Sequence, residues 1–146
     1  MINTPTNQEF RLLGVYFPKS SFEFNYLAIE KTPHERSYNI SIDPKGLISK
    51  KRFKLSLRIN LTEKSGTFKG DFFAVGDFEF SPDSDIANHE SINNLFYLNA
   101  PAIVFPYIRS FIANMSAQSG FDTIHIPTLN LTSLRDELKK NTTTEV

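Results

Sequence analysis

The longest clean alternation of apolar and polar positions runs through "RFKLSLRINLT". Phe53, Leu55, Leu57, Ile59 and Leu61 take one side, and Lys54, Ser56, Arg58, Asn60 and Thr62 the other. A period of two predicts a strand with one buried face. "YNISID" alternates in the same way, Tyr38, Ile40 and Ile42 against Asn39, Ser41 and Asp43. Pro44 and Gly46 then predict a turn. "TFKGDFFAVGDFEF" puts Phe68, Phe72, Ala74, Phe78 and Phe80 on one side, and its Gly70 and Gly76 predict bulges or the close approach of another backbone. Upstream, "FRLLGVYF" and "SFEFN" are split by Pro18. They predict one long or broken strand with Phe10, Leu12 and Tyr16 on one face and Leu13, Val15 and Phe17 on the other. From Tyr26 to Ser37 the period is lost, which predicts a loop, though one carrying Tyr26, Leu27 and Ile29. The short "KSG" turn and its neighbours imply antiparallel pairing.

After "SPDSD" the pattern becomes helical. A short helix is predicted around Ser91 to Leu98, followed by "NAPAIVFPYIRSFIANMSAQSG". At helical spacing Tyr107, Ile108, Phe111, Ile112 and Met115 share one stripe, extended by Val104 and Phe105. Arg109, Ala113, Asn114 and Ser116 fall opposite. Pro101 suits a first turn. Pro106 removes a backbone bond mid-helix, costs about 3 kcal/mol there, and predicts a bend. Gly120 is placed to close the helix. "FDTIHIPTLN" reads as an extended link. Thr132 is the expected cap of a last helix, "SLRDELKK", with Leu131, Leu134 and Leu138 as its apolar stripe. Residues 1–9 and 141–146 are expected to be disordered, leaving 10–140 as a single domain. The class is α+β: about four antiparallel strands, then helices.

Composition removes several function classes. A chain of 146 residues suits one domain, and 16 basic against 16 acidic residues leave no footprint for nucleic acid. There is no cysteine, hence no disulfide, cysteine nucleophile or thiolate metal site, which fits a reducing compartment. "MINTPTNQEF" lacks the basic start and apolar run of a signal peptide, so a cytoplasmic location is expected. The uncharged run from Ser91 to Ile108 contains Asn93, Asn94, Asn99 and two prolines and falls short of the ~20 apolar residues of a span. No membrane insertion is expected. His34, His89 and His125 are scattered, without the His-Glu-x-x-His spacing of a metal helix. No glycine loop cradles phosphate and no serine stands at a nucleophile elbow. Asp83 and Asp85 beside Pro82 read as a turn. No catalytic residue, metal or cofactor is expected. A small-ligand binder or enzyme on an α+β scaffold stays open, because such a fold can enclose an apolar cavity.

The helical stretch resembles the signature region of the SecB protein-export chaperones. That family's hydrophobic-Phe-Pro-Tyr-x-Arg core is matched by Val104-Phe105-Pro106-Tyr107-Ile108-Arg109. Its closing Gly-Phe turn is matched by Gly120-Phe121, and its Pro-x-Asn-hydrophobic element by Pro127, Asn130 and Leu131. Ser21, Phe22 and Glu23 are similar to the family's Ser-Phe-Glu triplet. The resemblance implies a four-stranded antiparallel sheet with a long kinked helix and a short C-terminal helix. It implies a homotetramer, a dimer of dimers with the long helices packed between sheets, and so an oligomer interface of Val104, Tyr107, Ile108, Phe111, Ile112 and Met115. It implies an ATP-independent holdase that keeps exported precursors unfolded and passes them to the motor ATPase SecA. The apolar residues no core claims, Phe24, Tyr26, Leu27 and Ile29 with Leu134 and Leu138 of the last helix, are the expected client groove. Glu23 is the expected SecA contact. Family members are acidic, whereas this chain is neutral and carries Lys19 at an expected acidic position. SecB-like proteins that serve antitoxins are therefore a second implied client class.

Overall fold

The computed structural model describes residues 10–31, 36–80 and 94–145. Residues 1–9, the acidic segment holding Asp83 and Asp85, and the start of the helix expected from Ser91 lie outside them, as do His34 and His89. Four long strands are present: β1 (Phe10–Phe24), β2 (Tyr38–Ser49), β3 (Arg52–Glu63) and β4 (Phe68–Phe80). They pair antiparallel in the order β1-β4-β3-β2. A fifth strand, β5 (Thr142–Thr144), adds to the β2 edge in parallel, so the sheet is mixed and has five strands. This corrects the expectation of a disordered segment from residue 141. Three β-branched threonines suit an extended chain, and β2 supplies the hydrogen-bond partners.

The expected alternation holds in the middle of the sheet. Phe53, Leu55, Leu57, Ile59 and Leu61 of β3 are all buried, together with Phe68, Phe72, Ala74 and Phe78 of β4. The turn predicted at Pro44 and Gly46 is not there. Both residues are buried inside β2, and the chain reverses at Lys50 and Lys51, where Lys51 has a φ of 65°.

β1 corrects the expected faces. Its register against β4 shifts twice, between Leu12 and Gly14 and between Tyr16 and Lys19. Each bulge adds one residue and moves everything after it to the opposite face. Phe10, Leu12, Val15, Phe17 and Phe24 therefore all pack on the core, while Leu13 and Tyr16 are exposed.

The long helix α2 (Ala100–Gln118) follows a π-helical turn, Leu95–Asn99, and lies across the core face of the sheet. A Cβ on Gly76 of β4 would stand 2.5 Å from Val104 Cγ2, so the glycine marks a close approach of helix to sheet. Phe111 of α2 stacks on Phe17 of β1 with centroids 4.1 Å apart. The span Leu95–Gln118 is long and apolar enough in composition to cross a membrane, yet its Val104, Ile108 and Ile112 are inside the protein core. Pro106 is exposed, as is Ala102 four residues earlier, so water can take the carbonyl that the proline leaves without a helical donor.

The buried stripe is rotated from the expected one. Ala100, Val104, Phe105, Ile108, Ile112 and Ser116 are buried, whereas Tyr107 is 50% exposed. Ser116 is tolerated inside because its hydroxyl donates to Ile112 O at 3.0 Å and accepts from Ile124 N at 2.8 Å. That second bond docks the extended link, whose Ile124 and Ile126 are buried. Arg109 Nε holds the same link by donating to Ile126 O at 2.9 Å. The last helix starts as a 3-10 turn, Leu131–Leu134, and continues as α3 (Arg135–Lys140). Its cap is Asn130, whose side chain accepts from Thr132 N at 3.2 Å, not Thr132 as expected.

Candidate binding cavity

The end of β1 is tied down by Asn25, whose N–H donates to Thr67 O at 2.9 Å. Asn25 Oδ1 accepts from Ala28 N at 3.3 Å, a side-chain cap for the short helix α1 (Tyr26–Lys31). The segment expected as a loop thus begins with a helical turn. It leaves Tyr26 62% and Leu27 67% exposed.

On the other side, α2 ends in a two-bond closing motif. Phe121 N donates to Ser116 O and Gly120 N to Ala117 O, with Gly120 at a φ of 89°. This geometry throws the Phe121 ring back onto Phe24, with centroids 4.1 Å apart. Between α1, the helix end and the sheet lies a cavity of about 260 Å³, walled by Phe24, Tyr26, Ile29, Phe68, Tyr38 and Phe121. Arg36 and Asp122 form its polar rim, with Nη1 and Oδ2 3.3 Å apart.

Thr67, one of the lining residues, is tied to the buried Glu63. Glu63 Oε1 accepts from Ser65 N at 2.8 Å, Thr67 N at 3.1 Å and Thr67 Oγ1 at 2.8 Å. Burial resists ionisation of Glu63, but these donors and the Arg36 guanidinium outweigh it and hold the carboxyl below the ordinary glutamate value. Burial raises the Tyr38 phenol, with Arg36 pulling the other way and the Glu63 and Asp122 carboxylates adding to the rise. Tyr38 therefore offers the cavity a neutral hydroxyl near pH 7.

The structure brings together only part of the expected groove. Phe24, Tyr26 and Ile29 line the cavity; Leu27 is exposed beside it. Leu134 and Leu138 are not among its walls. Leu138 is fully buried, and its helix packs on β2 and on the π-helical turn. Phe68, Phe121, Arg36 and Tyr38 were missed. Arg36 and Tyr38 come from the entry to β2, Phe68 from the start of β4 and Phe121 from the turn after α2, and no local spacing shows that these three segments meet. Of the expected oligomer residues, Val104, Ile108 and Ile112 are fully buried in this subunit's own core, so they cannot also face another copy. Phe111 and Met115 are half-buried against that core, and Tyr107 is free. Glu23 lies on the outer face of the sheet, 3.7 Å from Lys69 Nζ.

Among the described residues no group of side chains could hold a metal ion. The fold and the site define an α+β binding protein with an open apolar cavity at one end of its sheet. Residues 3–141 match the family model described as preprotein translocase subunit SecB, and the chain belongs to that family. It is 24% identical to the protein-export protein SecB of Anaplasma phagocytophilum over 144 residues, covering 87% of this chain and 90% of that one. It is 22% identical to that of Roseobacter denitrificans over 147 residues, covering 94% and 86%. Among solved structures, the fold matches a SecB-like chaperone of Mycobacterium tuberculosis in complex with a ChAD peptide from an antitoxin. The TM-score is 0.65 at 10% identity, covering 84% of this chain and 88% of that one.

Proposed function

We propose that this protein is an ATP-independent holdase of the protein-export type, binding unfolded or precursor polypeptides through apolar side chains. The observation that carries the reading is the cavity. At about 260 Å³ it is below the ~300–1,000 Å³ usual for small-molecule sites, and it is flanked by exposed Tyr26 and Leu27. It suits one or two side chains of a longer chain better than a whole metabolite. A buried aromatic or leucine contributes about 1.5–3 kcal/mol, so one cavity binds weakly. Several cavities on an assembly, all engaging one long client, add ~10²–10⁴ in avidity. We therefore place the protein as a cytoplasmic homotetramer in which Tyr107, with Ile103 beside it on the open side of α2, faces another copy.

The test is dilution of a chemically unfolded client into buffer with and without the protein. Aggregation is suppressed at near-stoichiometric tetramer and without nucleotide, for several unrelated clients. If all of them aggregate as they do alone, the reading is wrong.

One observation speaks against a SecA contact and so leaves room for the second client class, an antitoxin. Among the described residues, four carboxylates of the outer sheet face sit beside a basic side chain: Glu79 with Arg11, Asp77 with Arg52, Asp71 with Arg58 and Glu23 with Lys69. Such a face offers little free negative charge for a SecA-like partner. A pull-down with SecA separates the two readings: capture supports export, and selective capture of an antitoxin supports the second.

A further inference from the structure

β2 is an edge strand for most of its length, and one end of that edge is already occupied. β5 pairs with it at Gly46, Leu47 and Ile48, running parallel. Gly46 N donates to Asn141 O at 3.3 Å and Glu145 N to Ile48 O at 2.7 Å, while Asn141 Nδ2 donates to Pro44 O at 3.2 Å. The backbone groups of β2 that face this edge are therefore those of the even-numbered residues. Continuing that alternation, the N–H and C=O groups of Tyr38, Ile40 and Ile42 face the same edge. Among the described residues no strand pairs with them on that side. The side chains of these three residues pack against the core, and Tyr38 is a wall of the binding cavity. The cavity and the unpaired edge thus share Tyr38, and β5 stands at the far end of the same strand.

We infer that the segment Thr142–Glu145 is a displaceable stop that limits the length of client a subunit can take up as an added strand. This rests on the client-binding reading above. The open part, Tyr38 to Asp43, has room for about six extended residues, ~20 Å. With β5 released the edge reaches Ser49 and accommodates about twelve. The stop is built to let go. It is three residues long, its Thr143 and Thr144 are exposed, and its anchors are few: the bonds above, Thr142 Oγ1 to Leu138 O at 2.6 Å, and a side-chain bond between Tyr97 and Thr142. A client strand long enough to pass Pro44 displaces those bonds and replaces them with its own, so on the native chain the added length brings little net affinity.

The test compares two synthetic peptides of alternating apolar and polar residues, about six and about twelve residues long. The native chain binds both with similar affinity. A chain ending at Asn141 binds the longer one about tenfold more tightly, ~1.4 kcal/mol, and the shorter one as before. Hydrogen exchange on the native chain gives a second reading that does not depend on how well the shortened chain folds. Saturation with the longer peptide accelerates exchange of the Glu145 amide, and saturation with the shorter one does not. An unchanged ratio of affinities after truncation overturns the inference, as does a Glu145 amide that stays protected under the longer peptide. If neither peptide binds either chain, the client-binding reading falls and takes the inference with it.

Discussion

Phe24 and Phe121 stack face to face, 4.1 Å between centroids and 15° between planes, and join the last residue of β1 to the residue just past the cap of the long helix. Nearly a hundred positions separate them in the chain. Their contact closes one wall of the cavity, and Tyr26 meets Phe121 edge-on at 6.4 Å. Phe121→Ala is expected to weaken peptide binding roughly tenfold, the loss of part of one aromatic wall. Leu134→Ala, outside the cavity, is expected to leave binding unchanged. Fluorescence anisotropy with a labelled client peptide decides between them. Equal losses in the two variants would restore Leu134 to the site and contradict the cavity as drawn.

The close approach of helix to sheet gives a separate expectation. A Cβ at Gly76 would meet Val104 Cγ2 at 2.5 Å, and Val104 is fully buried with no room to withdraw. Gly76→Ala should cost about 1–3 kcal/mol through overpacking. Combined with Val104→Ala, part of that cost should return, because the two changes share one contact. Denaturant midpoints of the two single variants and the double variant give the coupling. Strict additivity would mean the helix does not sit on Gly76.

How much of this could be read from the sequence depends on whether the signal was local. β3 was fully legible because five apolar residues alternate without interruption and all five are buried. β1 was legible as a strand but not in its faces. Each bulge shifts the phase of the alternation, but with Leu12, Leu13, Val15, Tyr16 and Phe17 all apolar the shift cannot be told from a strand covered on both faces. The helix was legible with its closing glycine, but its buried stripe is rotated toward Ala100 and Ser116 and away from Tyr107. Ser116 is satisfied inside by its own helix at Ile112 O and by the distant Ile124 N–H, and only the first of these is local. β5 was illegible: three threonines have no core face, and the strand exists because β2 offers an edge. The cavity was half legible. Tyr26 and Ile29 stood out as apolar residues without an element and Phe24 as the strand end beside them, whereas Tyr38, Phe68 and Phe121 had plausible places in strands or turns.

Glu63 gives a prediction with a definite sign. Its carboxyl is held below the ordinary value, so the folded protein binds its proton less readily than the unfolded chain does. The stabilisation is present above the unfolded value, near 4.3, and is lost as pH falls through the lower folded value. Denaturant midpoints measured from pH 6 downward should therefore decline through the acid range. Glu63→Gln should be less stable at pH 7 by about 1–3 kcal/mol, having lost charge-assisted bonds to Ser65 and Thr67. It should also show a shallower decline with acid. A decline as steep as that of the parent chain would mean that other carboxylates carry it.

The assembly prediction separates two neighbours on α2. Tyr107 is half exposed and Ile108 is fully buried, although both belong to the set of residues that the family resemblance implies for an interface. A side chain inside the subunit's own core cannot contact a second copy without unfolding the first. Charge at Ile108 should therefore destroy the fold. An uncompensated buried carboxylate costs several kcal/mol. Charge at Tyr107 should spare the fold and act only between copies, by desolvating a carboxylate in an apolar contact. Tyr107→Asp is expected to give a smaller species by light scattering with a circular dichroism spectrum like that of the parent. Ile108→Asp is expected to give an unfolded or aggregated chain. If Tyr107→Asp keeps the parent mass, the exposed side of α2 is not where copies meet.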